Sequence, residues 1–409
     1  MPVFLLLAAL LMGGRWVSAD DWQTGPHCRS RPLPVPKIGR TGFTLLPQDS
    51  TGIYFTNTLG EWEAEANRVL PNGSGTAAGD FDGDGLPDLF ICGLQGRNVL
   101  YRNLGGLRFQ DVTRESGIQL TNLYCRGANF ADVNGDGFLD LLVAVTGQGV
   151  RCFINNGKGH FFDQTPACGL ATPYGATSIT MADVDGNGTL DIYVVNYRTD
   201  DIRDRGEVDL KMNKGRLVVP PELQGRLVVI NNHVLEYGDP SFLYLNDGQG
   251  HFSTVPWTNG VFVNDVGQPY GSPPLDWGLT ASFRDINGDG YPDLYVCNDY
   301  WTPDRIWIND GRGHFRAVDY LAVRNSCSHS MGIDFADLNQ SGHYDFFVTE
   351  MLARDPAVRH REMLTQDPVM LPVGAYRNRP QLTRNTLHVA RGDGTFSELA
   401  NYAGLAASD

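Results

Sequence analysis

The chain contains 409 residues, 42% of them hydrophobic and 19% charged, which is the composition of a globular protein. Asp and Glu (47) outnumber Lys and Arg (32), and the net charge of −15 disfavours nucleic-acid binding because phosphate backbones repel an acidic protein. The 48 glycines and 23 prolines favour a turn-rich β fold over a helical one. Beyond the N-terminus, no apolar run is long enough to span a bilayer.

The N-terminal residues have the pattern of a secretory signal. Residues 3–12 form an apolar core, and Val17-Ser18-Ala19 ends in the small residue that a signal peptidase prefers. We predict a signal peptide over residues 1–19, a linker over 20–41, and a secreted, periplasmic or cell-surface location. The segment before the apolar core has no Lys or Arg, so an uncleaved N-terminal anchor is the alternative.

Seven cysteines occur in the chain, at positions 28, 92, 125, 152, 168, 297 and 327. Export permits disulfides, and an odd number leaves at least one cysteine unpaired or in an intermolecular bond. The sequence alone does not decide the pairing. Cys92 and Cys297 each lie four residues after an Asp in equivalent apolar segments, and both are predicted to be buried, inert thiols.

A nine-residue pattern recurs five times and organises the chain. Its consensus is Asp-x-Asp/Asn-Gly-Asp/Asn-Gly-x-x-Asp, and its copies are numbered here as loop 1 (80–88), loop 2 (132–140), loop 3 (183–191), loop 4 (285–293) and loop 5 (337–345). Loop 5 is degenerate, because Gln340 replaces the first glycine and only two carboxylates remain. Recurrence at a fixed spacing is the signature of a repeat architecture.

The loops have the donor pattern of a calcium site, since Ca²⁺ takes about six to eight hard oxygen ligands. Positions one, three and five direct side-chain oxygens at one centre, position seven offers its backbone carbonyl, and position nine adds a carboxylate. Glycines at positions four and six permit the left-handed backbone of such a tight loop. We expect Ca²⁺ at loops 1 to 4 and a weaker fifth site. The predicted ligands are Asp80, Asp82, Asp84, Leu86 and Asp88; Asp132, Asn134, Asp136, Phe138 and Asp140; Asp183, Asp185, Asn187, Thr189 and Asp191; Asp285, Asn287, Asp289, Tyr291 and Asp293; and Asp337, Asn339, Ser341 and Asp345.

Two other interpretations of the loops are weaker. An EF-hand needs a Glu at position twelve between two helices, whereas position twelve here is Ile or Val inside an apolar segment, as at Ile91 and Val143. A plain Asx-Gly turn explains the glycines but not the Asp that closes every loop at position nine.

Short apolar segments separate each loop from a second recurring motif, a seven-residue turn that ends in Phe. These turns lie at 103–109, 155–161, 246–252, 309–315 and 390–396. About four short strands in a period of about 50 residues are typical of a propeller blade. The predicted fold is all-β: a β-propeller of four-stranded blades, with five repeats over residues 42–409 and inserts at about 198–240 and 351–384.

The chain begins and ends with the same recurring unit, found at 43–53, 109–118, 161–170 and 396–405. Two copies of one unit do not complement each other to complete a blade, and the chain stops about nine residues before a sixth loop is due. We therefore expect a truncated propeller. An imperfectly closed five-bladed ring with an unpaired sheet edge is the alternative.

The loops, at this spacing, resemble FG-GAP and VCBS-type repeats, and similar loops occur in integrin α-subunit propellers. The unit at 43–53, the long repeats and the segment 276–347 also resemble bacterial relatives of cartilage acidic protein, which often carry an ASPIC/UnbV-type domain. The resemblance covers about residues 42–409. It implies a secreted or surface-exposed calcium propeller of about seven blades with binding or adhesion roles.

The predicted function is a calcium-binding module for a protein or carbohydrate, with no nucleic-acid partner, no membrane span after signal cleavage and no catalysis of its own. A polysaccharide lyase or glycoside hydrolase is the alternative, and a cluster of acidic, Tyr, His or Arg side chains near the propeller axis favours it. A matrix component that assembles through an open edge is a third possibility. Arg391-Gly392-Asp393 and the recurring His160, His251 and His314 occupy turn positions, so we interpret them as turn and packing residues.

Overall fold

The computed structural model describes residues 42–407 except 207, 209, 231, 352, 354 and 359–378, together with 23–24 and 29–30. The predicted signal peptide, most of the predicted linker and the centre of the second insert lie outside the described residues. The chain divides into two compact units, residues 1–47 and 48–409. In the first unit, the short strands Gln23–Thr24 and Arg29–Ser30 pair antiparallel.

Among its described residues, the second unit contains one main sheet for each loop, and each of these five sheets is built on four antiparallel strands. Their strands run consecutively in space from the first to the fourth, which confirms the all-β expectation. The first sheet comprises Thr76–Gly79, Asp88–Ile91, Val99–Asn103 and Phe109–Asp111; the second, Cys125–Ala131, Asp140–Val145, Gly149–Asn155 and Phe161–Asp163; the third, Ala176–Ala182, Asp191–Asn196, Phe242–Asn246 and Phe252–Thr254; the fourth, Gly278–Arg284, Asp293–Asn298, Arg305–Asn309 and Phe315–Ala317; and the fifth, Ser330–Ala336, Asp345–Glu350, Thr386–Ala390 and Phe396–Glu398. Phe262–Val263 adds a parallel strand to the outer edge of the fourth sheet.

The remaining elements are short. The α-helices are Gln48–Thr51, Glu61–Ala66, Thr113–Ser116, Thr165–Cys168 and Ala400–Ala403. The 3-10 helices are Leu70–Asn72, Ile202–Arg205, Pro221–Leu223 and Trp257–Asn259. Two antiparallel pairs, Lys211–Asn213 with Arg216–Val218 and Leu227–Ile230 with His233–Glu236, lie in the first insert, and Ser326–Cys327 pairs parallel with Gln381–Leu382. No helix among the described residues is long and apolar enough to cross a membrane.

Four layers of the hydrophobic core each lie between two consecutive sheets, and a smaller fifth cluster contains Val69, Tyr197 and Trp277. Phe90 of the first sheet packs with Leu141 of the second, and Tyr193 of the third packs with Leu294 of the fourth. The second strands of the second, third and fourth sheets are buried along their full lengths, because both of their faces contact a neighbouring sheet. The first strands of consecutive sheets also contact each other, which makes them the inner strands.

Strand direction separates two ends of the second unit. Each loop joins the first and second strands of its sheet, and each Phe-ending turn joins the third and fourth strands, so loops and turns lie at one end. We call it the loop end. Both inserts connect second to third strands and therefore emerge at the opposite end, which we call the insert end.

Candidate metal-binding loops

The first carboxylate of every loop organises the backbone around it. In loop 1, Asp80 Oδ1 accepts hydrogen bonds from the amides of Gly83 (2.9 Å) and Asp84 (3.1 Å), and Oδ2 accepts one from Gly85 (2.8 Å). Loops 2, 3 and 4 repeat this pattern. Loop 5 retains part of it, since Gln340 adopts the left-handed conformation (φ 57°) that glycine adopts in the other loops.

The carboxylate at position nine is buried in every sheet: Asp88, Asp140, Asp191, Asp293 and Asp345. One oxygen accepts a hydrogen bond from the amide at position two, as from Phe81 to Asp88 (3.1 Å), and the other accepts one from the first residue of the following turn, as from Asn103 (2.7 Å). This carboxylate therefore joins the loop to the neighbouring turn.

Burial raises the pKa of four of these position-nine carboxyls. The pKa rises to about 6 for Asp88, Asp140 and Asp191 and to about 7 for Asp293, chiefly because desolvation penalises the charged form. Nearby loop carboxylates raise it further, and hydrogen bonds from backbone amides lower it. In each of these loops the ionised form of the carboxyl therefore carries a desolvation cost.

Two loops bring three carboxylates to a common centre. Oxygens of Asp80, Asp82 and Asp88 lie within 4.8 Å of one another, as do oxygens of Asp183, Asp185 and Asp191. These two acidic clusters could hold a metal ion. In loops 2 and 4, position three is Asn, and its amide nitrogen donates to the position-five carboxylate: Asn134 to Asp136 at 3.0 Å and Asn287 to Asp289 at 2.8 Å.

The residues at position seven lie beside the carboxylates and amides of their own loops. Their amides donate to the side chain at position five, as Leu86 does to Asp84 at 3.0 Å and Thr189 to Asn187 at 2.7 Å. The rings of Phe138 and Tyr291 lie against glycines of the adjacent turns. Their carbonyls remain predicted ligands.

Loop 1 differs from the others by a cation that the sequence analysis missed. The Arg102 guanidinium contacts Asp82 Oδ2 through Nε (2.6 Å) and Asp84 Oδ2 through Nη2 (3.2 Å). The equivalent residues before the later turns are Ile154, Leu245, Ile308 and Val389. Since loop 1 alone has four carboxylates, Arg102 partly neutralises its excess charge. The sequence signal for this contact was an arginine one residue before the first turn, where the later turns are preceded by an apolar residue.

A second missed feature is the asparagine that begins four of the turns. The Asn155 amide group donates to the carbonyl of Phe81, in loop 1 of the preceding repeat, at 2.7 Å. Asn246 likewise bonds the Val133 carbonyl of loop 2 (2.8 Å), and Asn309 bonds the Val184 carbonyl of loop 3 (2.9 Å). These three turns therefore fasten the loop of the preceding sheet, whereas the Asn103 amide group donates to the Pro87 carbonyl of its own loop at 2.8 Å. In the fifth sheet, Ala390 occupies this position.

The Arg391-Gly392-Asp393 tripeptide lies in the same kind of turn in the fifth sheet. Asp393 Oδ1 accepts a hydrogen bond from the Thr395 amide (3.0 Å), and Arg391 Nε donates to Ser397 Oγ (2.6 Å). Gly392 adopts a left-handed conformation (φ 78°). These contacts agree with a turn role.

A cluster of titratable side chains lies at the insert end, outside the loops. His329 Nδ1 is 2.9 Å from Glu350 Oε1, and its Nε2 is 4.0 Å from Asp299 Oδ1. The Tyr197 hydroxyl donates to Asp299 Oδ2 at 2.8 Å. All four side chains are buried, and Tyr300 beside them has a left-handed backbone (φ 55°). We call these residues the axial cluster, because they lie at the ends of inner and second strands of three sheets.

The first insert is held by buried charge pairs and presents an exposed hairpin. Arg226 Nε contacts Glu236 Oε1 at 2.6 Å, and Arg226 Nη1 contacts Asp200 Oδ1 at 3.3 Å. By contrast, the hairpin at 211–218 is open to solvent, and its Met212 is 60% exposed. The charge pairs therefore hold the part of the insert next to the third sheet, and the hairpin at 211–218 is the exposed part.

A family model described as an FG-GAP-like repeat matches residues 80–143, 132–194 and 285–348. Each match begins at the first Asp of a loop and ends in the second strand of the next sheet. The last match includes the degenerate loop 5. Three FG-GAP-like repeats are therefore present in the chain.

Among curated proteins, cartilage acidic protein 1 of Xenopus tropicalis is 28% identical over 128 residues, which cover 30% of this chain and 20% of that protein. The Homo sapiens protein is 27% identical over 133 residues, which cover 31% and 20%. The chain thus spans about a fifth of the length of the curated relatives it matches. Among solved structures, an Agrocybe aegerita lectin that recognises non-reducing terminal N-acetylglucosamine has 17% identity and a TM-score of 0.40, over 78% of this chain and 63% of the lectin.

Proposed function

We propose that this FG-GAP-like repeat protein is a calcium-loaded binding module that acts outside the cytoplasm on a protein or carbohydrate ligand. The observation that carries the metal assignment is the buried position-nine carboxylate, repeated in every sheet beside further loop oxygens. An isolated buried carboxylate carries a large desolvation free energy. One divalent cation in each loop offsets this free energy at four or five carboxylates.

The chemistry of the donors selects calcium among common metal ions. Loops 1 to 4 contain carboxylate, amide, hydroxyl and backbone oxygens but no Cys or His. Hard oxygen donors in an adaptable loop suit Ca²⁺, whereas Zn²⁺ and Cu²⁺ prefer nitrogen and sulfur. Mg²⁺ demands a near-ideal octahedron and keeps several waters, which a nine-residue wrap-around loop does not favour.

The metal has a structural role in this proposal. Each loop is fastened by its own position-nine carboxylate, and loops 1 to 3 are fastened also by the turn asparagine of the next sheet. A bound ion stiffens the loop that joins the first two strands of each sheet. The strands then keep fixed positions along their length, including where they meet the insert end. We further propose that the five sheets are blades of a propeller of about seven blades.

Ligand binding is proposed for the insert end. Long connections on a rigid β scaffold commonly carry binding specificity, and both inserts emerge there. The hairpin at 211–218 exposes Met212 and Val218 next to Lys211, Lys214 and Arg216. An exposed hairpin with three basic residues on an acidic protein suits an acidic glycan or protein.

The metal assignment is tested by counting Ca²⁺ in the purified chain and by thermal unfolding with Ca²⁺ and with excess chelator. Four or five Ca²⁺ ions per chain and a large loss of midpoint on chelation are expected. An unchanged midpoint and no bound metal refute the assignment and leave the loops as acidic turns.

The binding assignment is tested on a glycan array with the double variant Met212→Ser/Val218→Ser. Leu104→Ser is the matched control, because Leu104 is similarly exposed (56%) but lies at the loop end. Loss of binding in the hairpin variant alone supports the insert end as the ligand surface. Equal binding by all three proteins places the ligand elsewhere.

An enzyme is the second candidate, favoured by the axial cluster of acidic, His and Tyr residues. A carboxylate pair of this kind carries out glycoside hydrolysis when one member is an acid and the other a base or nucleophile. Burial of Asp299 and Glu350 and their pairing with His329 argue for a packing role instead. Release of reducing ends from polysaccharides by the natural chain but not by His329→Gln, with both folded, decides for the enzyme.

A further inference from the structure

Three indoles are buried among the described residues, and that of Trp307 differs from the other two. Trp257 Nε1 donates to the carbonyl of Ser241 (2.9 Å), and Trp277 Nε1 donates to the carbonyl of Glu236 (2.8 Å). Trp307 is 1% exposed, and its Nε1 has no hydrogen-bond partner within the described part of the chain. A buried N–H group that has left water without gaining a partner is costly.

Asn298, the last residue of the second strand of the fourth sheet, carries a second buried atom of this kind. Its Nδ2 donates to the carbonyl of Pro303 at 2.8 Å, and this bond fixes which end of the amide is the oxygen, because a carbonyl only accepts. Its Oδ1 accepts no hydrogen bond from the described residues. Trp307 and Asn298 therefore offer a buried donor and a buried acceptor, each without its counterpart.

Both side chains line one small cavity between the third and fourth sheets. Trp307 pairs with Leu294 across the fourth sheet, and both belong to the core layer that faces the third sheet. Because side chains alternate along a strand, Asn298 lies on the same face as Leu294. The cavity is largely enclosed and leaves about 10 Å³ for the centre of a water molecule, which is about the space that one water needs. Tyr193 and Ser241 also line it and offer hydroxyl groups.

We propose that one water molecule occupies this cavity, accepts a hydrogen bond from Trp307 Nε1 and donates one to Asn298 Oδ1. Water suits the site because it both accepts and donates, and buried waters commonly make two to four such bonds. A metal cation does not suit it, since the indole hydrogen repels positive charge, and an apolar ligand satisfies neither atom. This site is independent of the calcium loops and of the ligand surface proposed above.

The repeat shows that the indole is particular to the fourth sheet. The residue that pairs with the first apolar residue of the second strand is Tyr101, Phe153, Tyr244, Trp307 and His388 in the five sheets, in chain order. The second sheet packs with a phenylalanine at this position, so the fold does not require an N–H group there. Trp307→Phe therefore removes the donor and installs a residue that the repeat already accepts.

The water site adjoins the segment that carries Asp299 of the axial cluster. The Asn298 amide donates to Asp304 Oδ1 at 2.9 Å, and the Asn298 side chain donates to the Pro303 carbonyl. Asn298 thus closes the segment 299–304 on itself. A water bound at Oδ1 holds the Asn298 side chain in place and, through it, this segment. The water is therefore assigned a positioning role.

The direct test is a crystal structure of the natural chain at a resolution that shows ordered water. We expect one density peak within about 2.7 to 3.2 Å of both Trp307 Nε1 and Asn298 Oδ1. In solution, the indole proton of Trp307, assigned by its loss in Trp307→Phe, should show a nuclear Overhauser effect to water. An unfilled cavity, or a protein group that accepts from the Trp307 indole, overturns the proposal. The crystal structure needs no variant, so it decides even if Trp307→Phe does not fold.

Hydrogen exchange of the peptide that contains 299–304 tests the positioning role. Trp257→Phe is the matched control, because Trp257 lines the same cavity but its indole donates to a protein carbonyl. In Trp307→Phe we expect this segment to exchange roughly five to ten times faster than in the natural chain, through loss of one water-mediated hydrogen bond. In Trp257→Phe we expect the exchange of this segment to be unchanged. Equal exchange in all three proteins, or equal acceleration in both variants, contradicts the positioning role.

Discussion

Removal of a single loop ligand tests the metal assignment at the level of one residue. Asp183 at position one of loop 3 belongs to a three-carboxylate cluster and contacts only backbone amides of its own loop. Asp183→Asn keeps the shape of the side chain but removes its charge. We expect this variant to bind one Ca²⁺ fewer than the natural chain.

The size of the effect follows from binding linkage and from the length of the unit. A site at a Ca²⁺ concentration of about 100 times its Kd contributes about 2.7 kcal/mol to the free energy of unfolding. The second unit has about 360 residues, and about 2.1 cal/mol/K of unfolding entropy per residue gives a loss of about 3 to 4 °C in Tm per site. Four sites together then account for about 14 °C on chelation.

The assay is scanning calorimetry of the natural chain, Asp183→Asn and Asp185→Asn, each with Ca²⁺ and with chelator. Asp185→Asn is the matched control, since loops 2 and 4 carry Asn134 and Asn287 at that position. We expect Asp183→Asn to lose about 3 to 4 °C more Tm in Ca²⁺ than in chelator, since the amide nitrogen of Asn fails to accept the Gly188 hydrogen bond in both buffers. An equal loss in both buffers refutes the metal role, because it shows that Asp183 acts only through its backbone hydrogen bonds.

Three further outcomes follow from particular contacts. Asn309→Ala removes hydrogen bonds from the side-chain amide to the carbonyls of Val184 and Pro292, and urea titration should show a free energy of unfolding lower by about 2 to 3 kcal/mol. Ala390→Asn installs the missing turn asparagine and should raise the free energy of unfolding by about 1 kcal/mol. A loss of stability in Ala390→Asn means that the fifth turn does not share the geometry of the others. Arg102→Gln removes the cation that contacts Asp82 and Asp84. In calorimetric titration this variant should bind Ca²⁺ more tightly at loop 1 than the natural chain does, with the same number of ions. Weaker binding shows that Arg102 orients the ligands instead. Burial lowers the pKa of His388, which stacks on Phe346, to about 4. The unfolded chain therefore binds more protons than the folded chain between about pH 6.5 and 4, and the free energy of unfolding falls as the pH falls. Relative to His388→Phe, the natural chain should lose about 2 kcal/mol of this free energy between pH 7 and pH 5, and parallel pH profiles contradict this account.

The loops and turns were predictable because their geometry is local. Asp80 bonds amides three to five residues ahead, and glycines at positions four and six permit the backbone that these bonds need. The period of loops and Phe-ending turns likewise gave five four-stranded sheets, since each hairpin is closed by residues near it in sequence. Even the degenerate loop 5 folds in this way, because Gln340 adopts the left-handed conformation.

Other features depend on residues far apart in the chain, and periodicity does not specify such partners. The contact of Asn246 with loop 2 joins residues 113 positions apart, and that of Tyr197 with Asp299 joins residues 102 apart. The axial cluster therefore appears only when three sheets stand side by side.

The repeat, the all-β class and the donor pattern of the loops follow from the sequence alone, because each is encoded within about nine consecutive residues or in their recurrence. The electrostatic environment of the position-nine carboxylates emerges only from tertiary packing. Asp88, Asp140, Asp191 and Asp293 have raised pKa values because neighbouring strands and turns exclude water from them. Desolvation is a property of packed neighbours, and no single segment of the chain encodes it.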